Sequence, residues 1–388
     1  ILLDMVPTPV FYWAVKTLGT QAGVMITASH NPPEYNGFKV WAGETTLWGD
    51  GIRELYEIMA AADFATDRGG QGLISHHDVV PAYLDDLAGH VSAPLPLKVV
   101  VDGGNGAGGL ILTELLKRVG VDVVPLYCEP DGRFPNHHPD PVVEAYISDL
   151  KARVLAEGAH LGIGLDGDAD RLGVVDETGR LMYGDRVLAL FARDLLARNP
   201  GATVMAEVKC SHLLYRDIAT HGGNPVMGVT GHSVMKAAML ENGALLAGEM
   251  SGHMFFAERY HGFDDAIYAA LVLCEILGRD TTTPLSRRLD DWPVTYNTPE
   301  IRVDCPDEIK FQVVAKAQEH FRREHECVDI DGVRLVYPDG WGLVRASNTQ
   351  PSLVLRFEAE SPERLVAIRR DIEEPLGRWI KELADTLA

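Results

Sequence analysis

The sequence predicts a multi-domain α/β protein that ends in a smaller α+β region. Three observations carry this reading. The chain has 388 residues, too many for one hydrophobic core and enough for roughly two to four domains. Up to about residue 290, short apolar runs alternate with helical segments across glycine-bearing loops, the pattern of layered α/β domains. Beyond a proline-bearing linker, Pro293 to Pro299, consecutive strands follow one another between two helices.

Taken in order, Gly23 to Thr27 reads as a buried strand and Phe38 to Trp41 as its neighbour. Leu97–Val101, a glycine loop, a helix near Leu110–Val119 and Val121–Leu126 form a βαβ unit. Leu161–Leu165 and Leu172–Val175 are short strands around an acidic loop. Thr203–Val208, a helix from Ser211, Pro225–Val229, a helix from Ser233 and Ala244–Ala247 repeat the alternation, so mainly parallel sheets are expected. Past the linker come Glu300–Val303, a helix near Ile309–Glu324, strands near Val333–Tyr337, Gly342–Ala346 and Leu353–Glu358, and a helix from Pro362.

Composition narrows the function. The hydrophobic fraction of 46% and charged fraction of 23% are those of a soluble globular protein. No apolar run approaches the ~20 residues that span a bilayer. The net charge of −21 argues against nucleic acid or an anionic membrane as partner. The five cysteines are far apart and contain no C-x-x-C pair, so free thiols and a cytoplasmic location are expected. The chain opens on Ile1 without a methionine, and residues upstream are expected.

Three polar loops each follow a short apolar strand, where α/β sheets place their ligand crevice. In Asp166-Gly167-Asp168-Ala169-Asp170-Arg171, alternating carboxylates suit one hard cation. The triad resembles positions 1, 3 and 5 of a calcium-binding EF-hand, with Glu177 at position 12. However, Arg171 stands where that loop needs glycine, and the flanks read as strands. Mg²⁺ with room for a phosphate oxygen fits better. Ser29, in Ala28-Ser29-His30-Asn31-Pro32, has no G-x-S-x-G elbow around it. Beside His30 and Lys39 it is a candidate phosphoryl acceptor, with Lys39 and Arg171 to neutralise charge. The third loop is Glu249-Met250-Ser251-Gly252-His253. Near the C-terminus, Arg345-Ala346-Ser347-Asn348-Thr349 joins two strands, with Arg356 following, and reads as a phosphate clamp. A competing signal is Gly104-Asn105-Gly106-Ala107-Gly108-Gly109, which matches G-x-G-x-x-G with Glu129 20 residues on. It points to an NAD-dependent oxidoreductase. Asp102 at the strand tip would repel a pyrophosphate, and close helix–strand packing explains the glycines as well.

Together these loops resemble the α-D-phosphohexomutase superfamily, most closely its bacterial phosphomannomutase/phosphoglucomutase branch. Thr27–Pro32 is similar to the phosphoserine loop, Asp166–Arg171 to the metal loop, Gly248–His253 to the sugar-recognition loop and Arg345–Thr349 to the phosphate loop. The resemblance implies three related α/β mixed-sheet domains and a C-terminal α+β, TATA-binding-protein-like domain around a central cleft. The expected boundaries are 1–82 (phosphoserine, with an N-terminal part missing), 83–180 (metal), 181–292 (sugar) and 293–388 (phosphate). It implies that phospho-Ser29 gives its phosphoryl group to the sugar, forming a hexose 1,6-bisphosphate that reorients and returns the other phosphate. Lys39, Arg171 and His253 are expected near the transferring group, and Lys209, Gly231, His232 and Ser233 along the substrate site. Mg²⁺ is expected on Asp166, Asp168, Asp170 and the Ser29 phosphate.

Histidine is the commonest acid–base group, so His253 is the expected general base, with Lys39 as the alternative. Glu249 and Ser251 would bind ring hydroxyls shared by glucose and mannose, which differ only at carbon 2. The expected partners are therefore the 1- and 6-phosphates of both sugars, bound by a monomer. A non-catalytic sugar-phosphate binder is the remaining alternative, though it would need neither Ser29 nor the three aspartates.

Overall fold

The computed structural model describes residues 1–32, 34–64, 73–348 and 350–386. Thr349, expected in the phosphate loop, and Pro33, beside the serine loop, lie outside the described residues. Two compact units are present. The first comprises Ile1–Ala206, His212–Val226 and Gly231–Asp290, and the second Glu207–Ser211, Met227–Thr230 and Asp291–Ala388.

The first unit begins with α1 (Thr8–Thr17), which precedes an antiparallel sheet of β1 (Ala22–Ile26), β2 (Phe38–Ala42) and β3 (Thr45–Thr46). Strand alternation divides its residues between two faces. Gly23, Met25, Lys39 and Trp41 share the face toward α1, where Phe11 approaches so closely that a Cβ on Gly23 would lie 2.6 Å from its ring. Val24, Ile26 and Phe38 share the opposite face and are largely exposed. Next come α2 (Asp50–Ala60), which buries no residue, and α3 (Val80–Ala88), which buries Tyr83, Leu84 and Leu87.

The second sheet is built from β4 (Lys98–Asp102), α4 (Gly109–Arg118), β5 (Asp122–Leu126), α5 (Ser148–Glu157), β6 (Leu161–Leu165), β7 (Leu172–Asp176) and β8 (Leu181–Met182). Its order is β5-β4-β6-β7-β8. The third contains α6 (Gly184–Arg198), β9 (Thr203–Glu207), α7 (His212–Thr220), β10 (Asn224–Gly228), α8 (His232–Asn242), β11 (Leu246–Gly248), β12 (Met254–Phe256) and α9 (Ala266–Arg279), in the order β10-β9-β11-β12.

The expectation of mainly parallel sheets needs correcting. The first sheet is wholly antiparallel, and the other two turn antiparallel after β6 and β11. The cause lies in the chemical loops themselves. A parallel crossover needs a dozen or more residues. Asp166–Arg171 and Glu249–His253 are too short for one, so each joins antiparallel neighbours.

In the second unit, β13 (Tyr296–Asn297), β14 (Ile301–Asp304), α10 (Asp307–Phe321), β15 (Glu326–Val328), β16 (Val333–Tyr337), β17 (Gly340–Ala346), β18 (Ser352–Ala359) and α11 (Pro362–Ala384) follow in turn. The sheet order is β13-β18-β17-β16-β15, with β14 also on β18. Ile309, Val313, Phe321, Ile368 and Ile372 of the helices form one core with Leu335, Leu353, Leu355 and Phe357. The stretch read as a linker is partly a strand, since Tyr296 pairs with Ala359 and Asn297 with Glu358. Two residues between prolines carry too little periodic signal to reveal that pairing. No described helix is long and apolar enough to cross a membrane, and all five cysteines are free.

Candidate active site

Three loops of the first unit leave the carboxyl ends of β1, β6 and β11 and bring Ser29, the three aspartates and His253 together. Ser29 has φ 53°, a left-handed conformation uncommon outside glycine. It is held from both sides. Its N–H donates to Thr27 Oγ1 at 2.9 Å, and Gly167 packs so tightly on it that a Cβ there would lie 2.2 Å from the Ser29 carbonyl oxygen. The Ser29 hydroxyl donates to Asp166 Oδ2 at 2.7 Å, with His30 Nδ1 3.1 Å from Ser29 Oγ. Burial, then Arg171, lowers His30 to about 4. It therefore stands beside the serine as a neutral ring and not as a cation.

Asp166, Asp168 and Asp170 are almost completely buried, and each offers an oxygen within 4.8 Å of the others. The amides of Asp170 and Arg171 donate to Asp166 Oδ1, both at 3.1 Å, which leaves Oδ2 to Ser29. Lys39 donates to Asp168 Oδ2 at 2.8 Å and also to Asp170 Oδ2. Burial, followed by its two neighbouring carboxylates, raises Asp166 well above the usual range. For Asp170 burial acts the same way, but Lys39 and His253 outweigh it and hold the group well below. Oδ1 of Asp168 and Oδ1 of Asp170 are buried without a hydrogen bond among the described residues, although His253 Nε2 lies 3.2 Å from the latter as an ion pair. Buried bare carboxylate oxygens are costly, and a hard cation would satisfy them. The triad can bind a metal. The EF-hand pattern fails here, because β6 and β7 flank the loop and Glu177 accepts from the amide and hydroxyl of Ser286.

His253 is sandwiched between two carboxylates, with Glu249 Oε2 3.0 Å from Nδ1 and Asp170 at Nε2. Burial lowers its pKa, but Asp170 and Glu249 prevail and raise it to about 10. Glu249 is buried, taking the Gly231 amide at 2.8 Å and the Ser251 hydroxyl at 3.0 Å. His232 stacks on His253 with ring centroids 5.3 Å apart, and Ser233 Oγ accepts from the Thr46 hydroxyl at 3.2 Å. Arg171 is 4.0 Å from Asp166, and its buried Nε has no hydrogen-bond partner among the described residues.

Other expected residues belong to the second unit. Lys209 Nζ lies 3.2 Å from Glu300 and 3.5 Å from Glu207, and its carbonyl accepts from Arg356. Arg345 Nε pairs with Asp331 Oδ2 at 3.0 Å, an oxygen that also accepts the Thr230 amide. In the loop after β17, the Ser347 hydroxyl accepts from the Gln350 amide at 3.1 Å, and Asn348 is exposed.

Several site residues gave no sequence signal strong enough to single them out. Thr8, at the start of α1, donates to Asp168 Oδ2 at 2.6 Å. Beyond His232, a buried chain continues through Asp264, which is 3.1 Å from His232 Nδ1 and 2.7 Å from Lys236 Nζ, to Tyr12, whose ring lies 4.4 Å from that nitrogen. Burial opposes ionisation of Asp264, but Lys236 and His232 hold it far below the usual range. Asp170, His232 and Asp264 are close enough to suggest a second metal site, yet Lys236 already neutralises Asp264. Next to it, Asp265 caps α9, its side chain accepting from the Tyr268 amide at 2.8 Å. A separate cavity of about 500 Å³, lined by Lys16, Trp41 and Glu44 among others, holds none of these groups.

The glycine-rich loop 104–109 serves packing. A Cβ on Gly106 would lie 2.6 Å from the Gly167 carbonyl, and one on Gly108 would lie 2.4 Å from Ala169. The Ala107 amide donates to Gly167 O at 2.9 Å. Asp102 takes the Gly104 amide at 2.9 Å and sits 3.0 Å from His137. The side pyrophosphate would need is thus filled by the metal loop.

Comparison with known proteins identifies the family. The family models for phosphoglucomutase/phosphomannomutase match in sequence: domain I over residues 1–66, domain II over 81–179, domain III over 183–296 and the C-terminal domain over 300–374. A phosphomannomutase/phosphoglucomutase of Pseudomonas aeruginosa is 48% identical over 95% of this chain and 79% of its own length. A phosphoglucomutase of Neisseria gonorrhoeae is 46% identical over 95% and 80%. The crystal structure of a phosphoglucomutase/phosphomannomutase family protein from Burkholderia thailandensis superposes with a TM-score of 0.90 at 42% identity, covering 97% of this chain and 82% of that one. These relatives give no support to a nicotinamide-dependent activity. With four domain models in order and a serine set against three buried aspartates, the chain belongs to the phosphoglucomutase/phosphomannomutase family and is a phosphohexomutase that interconverts hexose phosphates.

Proposed function

We propose that the enzyme moves a phosphoryl group between carbons 1 and 6 of glucose and mannose phosphates, with Ser29 as carrier and a hexose 1,6-bisphosphate as intermediate. The observation that carries this reading is the 2.7 Å hydrogen bond from the Ser29 hydroxyl to Asp166, inside the buried triad that Lys39 also contacts. A left-handed serine locked against Gly167 has its oxygen preset for transfer, which phosphoryl chemistry demands above all. Asp166, Asp168 and Asp170 would hold Mg²⁺, which when bound neutralises charge on the phosphoryl group.

In the first step a sugar oxygen forms the new P–O bond while the Ser29 Oγ–P bond breaks. The sugar proton passes to His253 in its minor neutral form, since its carboxylate neighbours favour the protonated one, and the departing serine oxygen takes one from Lys39. In the return step the reverse transfers apply. His253, which its carboxylate neighbours favour in the protonated form, then delivers its proton to the leaving sugar oxygen. The Nε of Arg171, without a hydrogen-bond partner among the described residues, suits a phosphoryl oxygen. Glu249 and Ser251 bind ring hydroxyls, with Gly231, His232 and Ser233 alongside. Lys209, Arg345, Ser347, Asn348 and Thr349 take the non-reacting phosphate.

Peptide mapping of the purified enzyme tests the carrier. Phosphate should be found on Ser29, Ser29→Ala should retain only residual turnover, and chelation should abolish activity. Phosphate on another residue together with a fully active Ser29→Ala would overturn the mechanism.

A further inference from the structure

We propose that Thr8 is a positioning residue for the cation site, deciding which oxygen of Asp168 faces the ion. The proposal rests on the reading of the triad as a Mg²⁺ site. Thr8 is fully buried, is the first residue of α1 and stands between Pro7 and Pro9. Its hydroxyl donates to Asp168 Oδ2 at 2.6 Å, and its N–H donates to the Asp168 carbonyl at 2.9 Å. The first turn of a helix leaves its N–H groups without partners of their own, so this contact couples α1 to the metal loop at two points.

The two oxygens of Asp168 are treated very differently. Oδ2 takes both the Thr8 hydroxyl and, at 2.8 Å, the Lys39 ammonium. Oδ1 is buried and has no hydrogen bond among the described residues. An oxygen with two short donors has little capacity left, whereas the bare one has its full lone-pair capacity. The donors therefore set the carboxylate's rotation and present Oδ1. Thr8 does this without charge, so it restrains the ligand without competing electrostatically with a cation, as Lys39 does. Its β-branch also limits χ1 in the helix, which keeps the hydroxyl directed. Groups that orient ligating carboxylates commonly govern metal affinity by about 10- to 100-fold.

The test is the dissociation constant for Mg²⁺ of the purified protein, by calorimetry or by competition with Mn²⁺ in spin resonance, with thermal melting in chelator as a check on folding. Thr8→Val keeps the shape and loses the donor, and should weaken Mg²⁺ by about 10- to 100-fold. Thr8→Ser keeps the donor and should stay within about threefold of the unaltered protein, less than the tenfold floor of that range. A folded Thr8→Val that binds as the unaltered protein does overturns the proposal. So does a Thr8→Ser variant that loses as much as Thr8→Val, because the methyl would then be the group that matters. If Thr8→Val does not fold, Thr8→Ala is judged by the same threshold. Failure of the unaltered protein to bind Mg²⁺ would instead overturn the cation assignment, and this proposal with it.

Discussion

Replacing Gly167 with alanine tests whether the tight seat beneath Ser29 serves catalysis. Gly167 does not have a positive φ, so alanine meets no backbone penalty and any effect is steric. Its Cβ would stand 2.2 Å from the Ser29 carbonyl oxygen, whereas ordinary contact begins at 3.4 Å. The two loops must therefore separate by about 1.2 Å. That is far beyond what side-chain adjustment absorbs, because the atom met is backbone. A misplacement of about 1 Å at a reacting centre costs roughly 100-fold in rate, and overpacking a filled site costs about 1–3 kcal/mol in stability. Turnover of glucose 1-phosphate, measured by coupling glucose 6-phosphate to a dehydrogenase, should fall by about two orders of magnitude while the protein stays folded. Gly132→Ala, where a Cβ meets nothing within 4 Å, is the matched control and should be silent. If Gly167→Ala turns over at the unaltered rate, the closeness of these loops has no catalytic meaning and the argument fails.

Two other outcomes are expected. The pair between His137 and buried Asp102 should make stability depend on pH. Burial lowers the His137 pKa, but the Asp102 contact outweighs it and leaves the group raised above 6.5. Its contribution is thus full below about pH 6.5 and fades as pH rises through the elevated value. Denaturant unfolding should show His137→Gln less stable by roughly 1–3 kcal/mol at pH 6 and closer to the unaltered protein at pH 9; a gap that does not change with pH would refute the pairing. In the second unit, Arg345→Ala should raise KM for hexose 1-phosphates by about 10- to 100-fold, the worth of a charge-assisted hydrogen bond, without removing phosphate from Ser29. An unchanged KM would remove Arg345 from the phosphate site.

Much of the site was legible because its chemistry is local. The aspartates alternate with small residues over five positions, Ser29 lies within a short turn, and both loops follow apolar strands that announce their own ends. What escaped reading lies far away in sequence. Thr8 meets Asp168 across 160 positions, and Lys236 meets Tyr12 across 224. Neither threonine before proline nor a lysine on a helix marks itself as a site residue. The glycine loop was ambiguous for the opposite reason, since G-x-G-x-x-G signals only that something must approach closely.

The sequence by itself determined the alternation of strands and helices, the break into an α+β region and the identity of the chemical loops, because period and turn chemistry depend on neighbouring residues. Only the tertiary structure decided what the glycines admit, which oxygens of Asp168 and Asp170 lack a hydrogen bond among the described residues, and which groups are charged. His30 and His253 carry the same side chain and a similar ordinary pKa. Burial beside Arg171 leaves the first neutral, and burial between Asp170 and Glu249 leaves the second protonated. Charge in a dry interior is set by distances to other charges, and those distances exist only once the chain has folded.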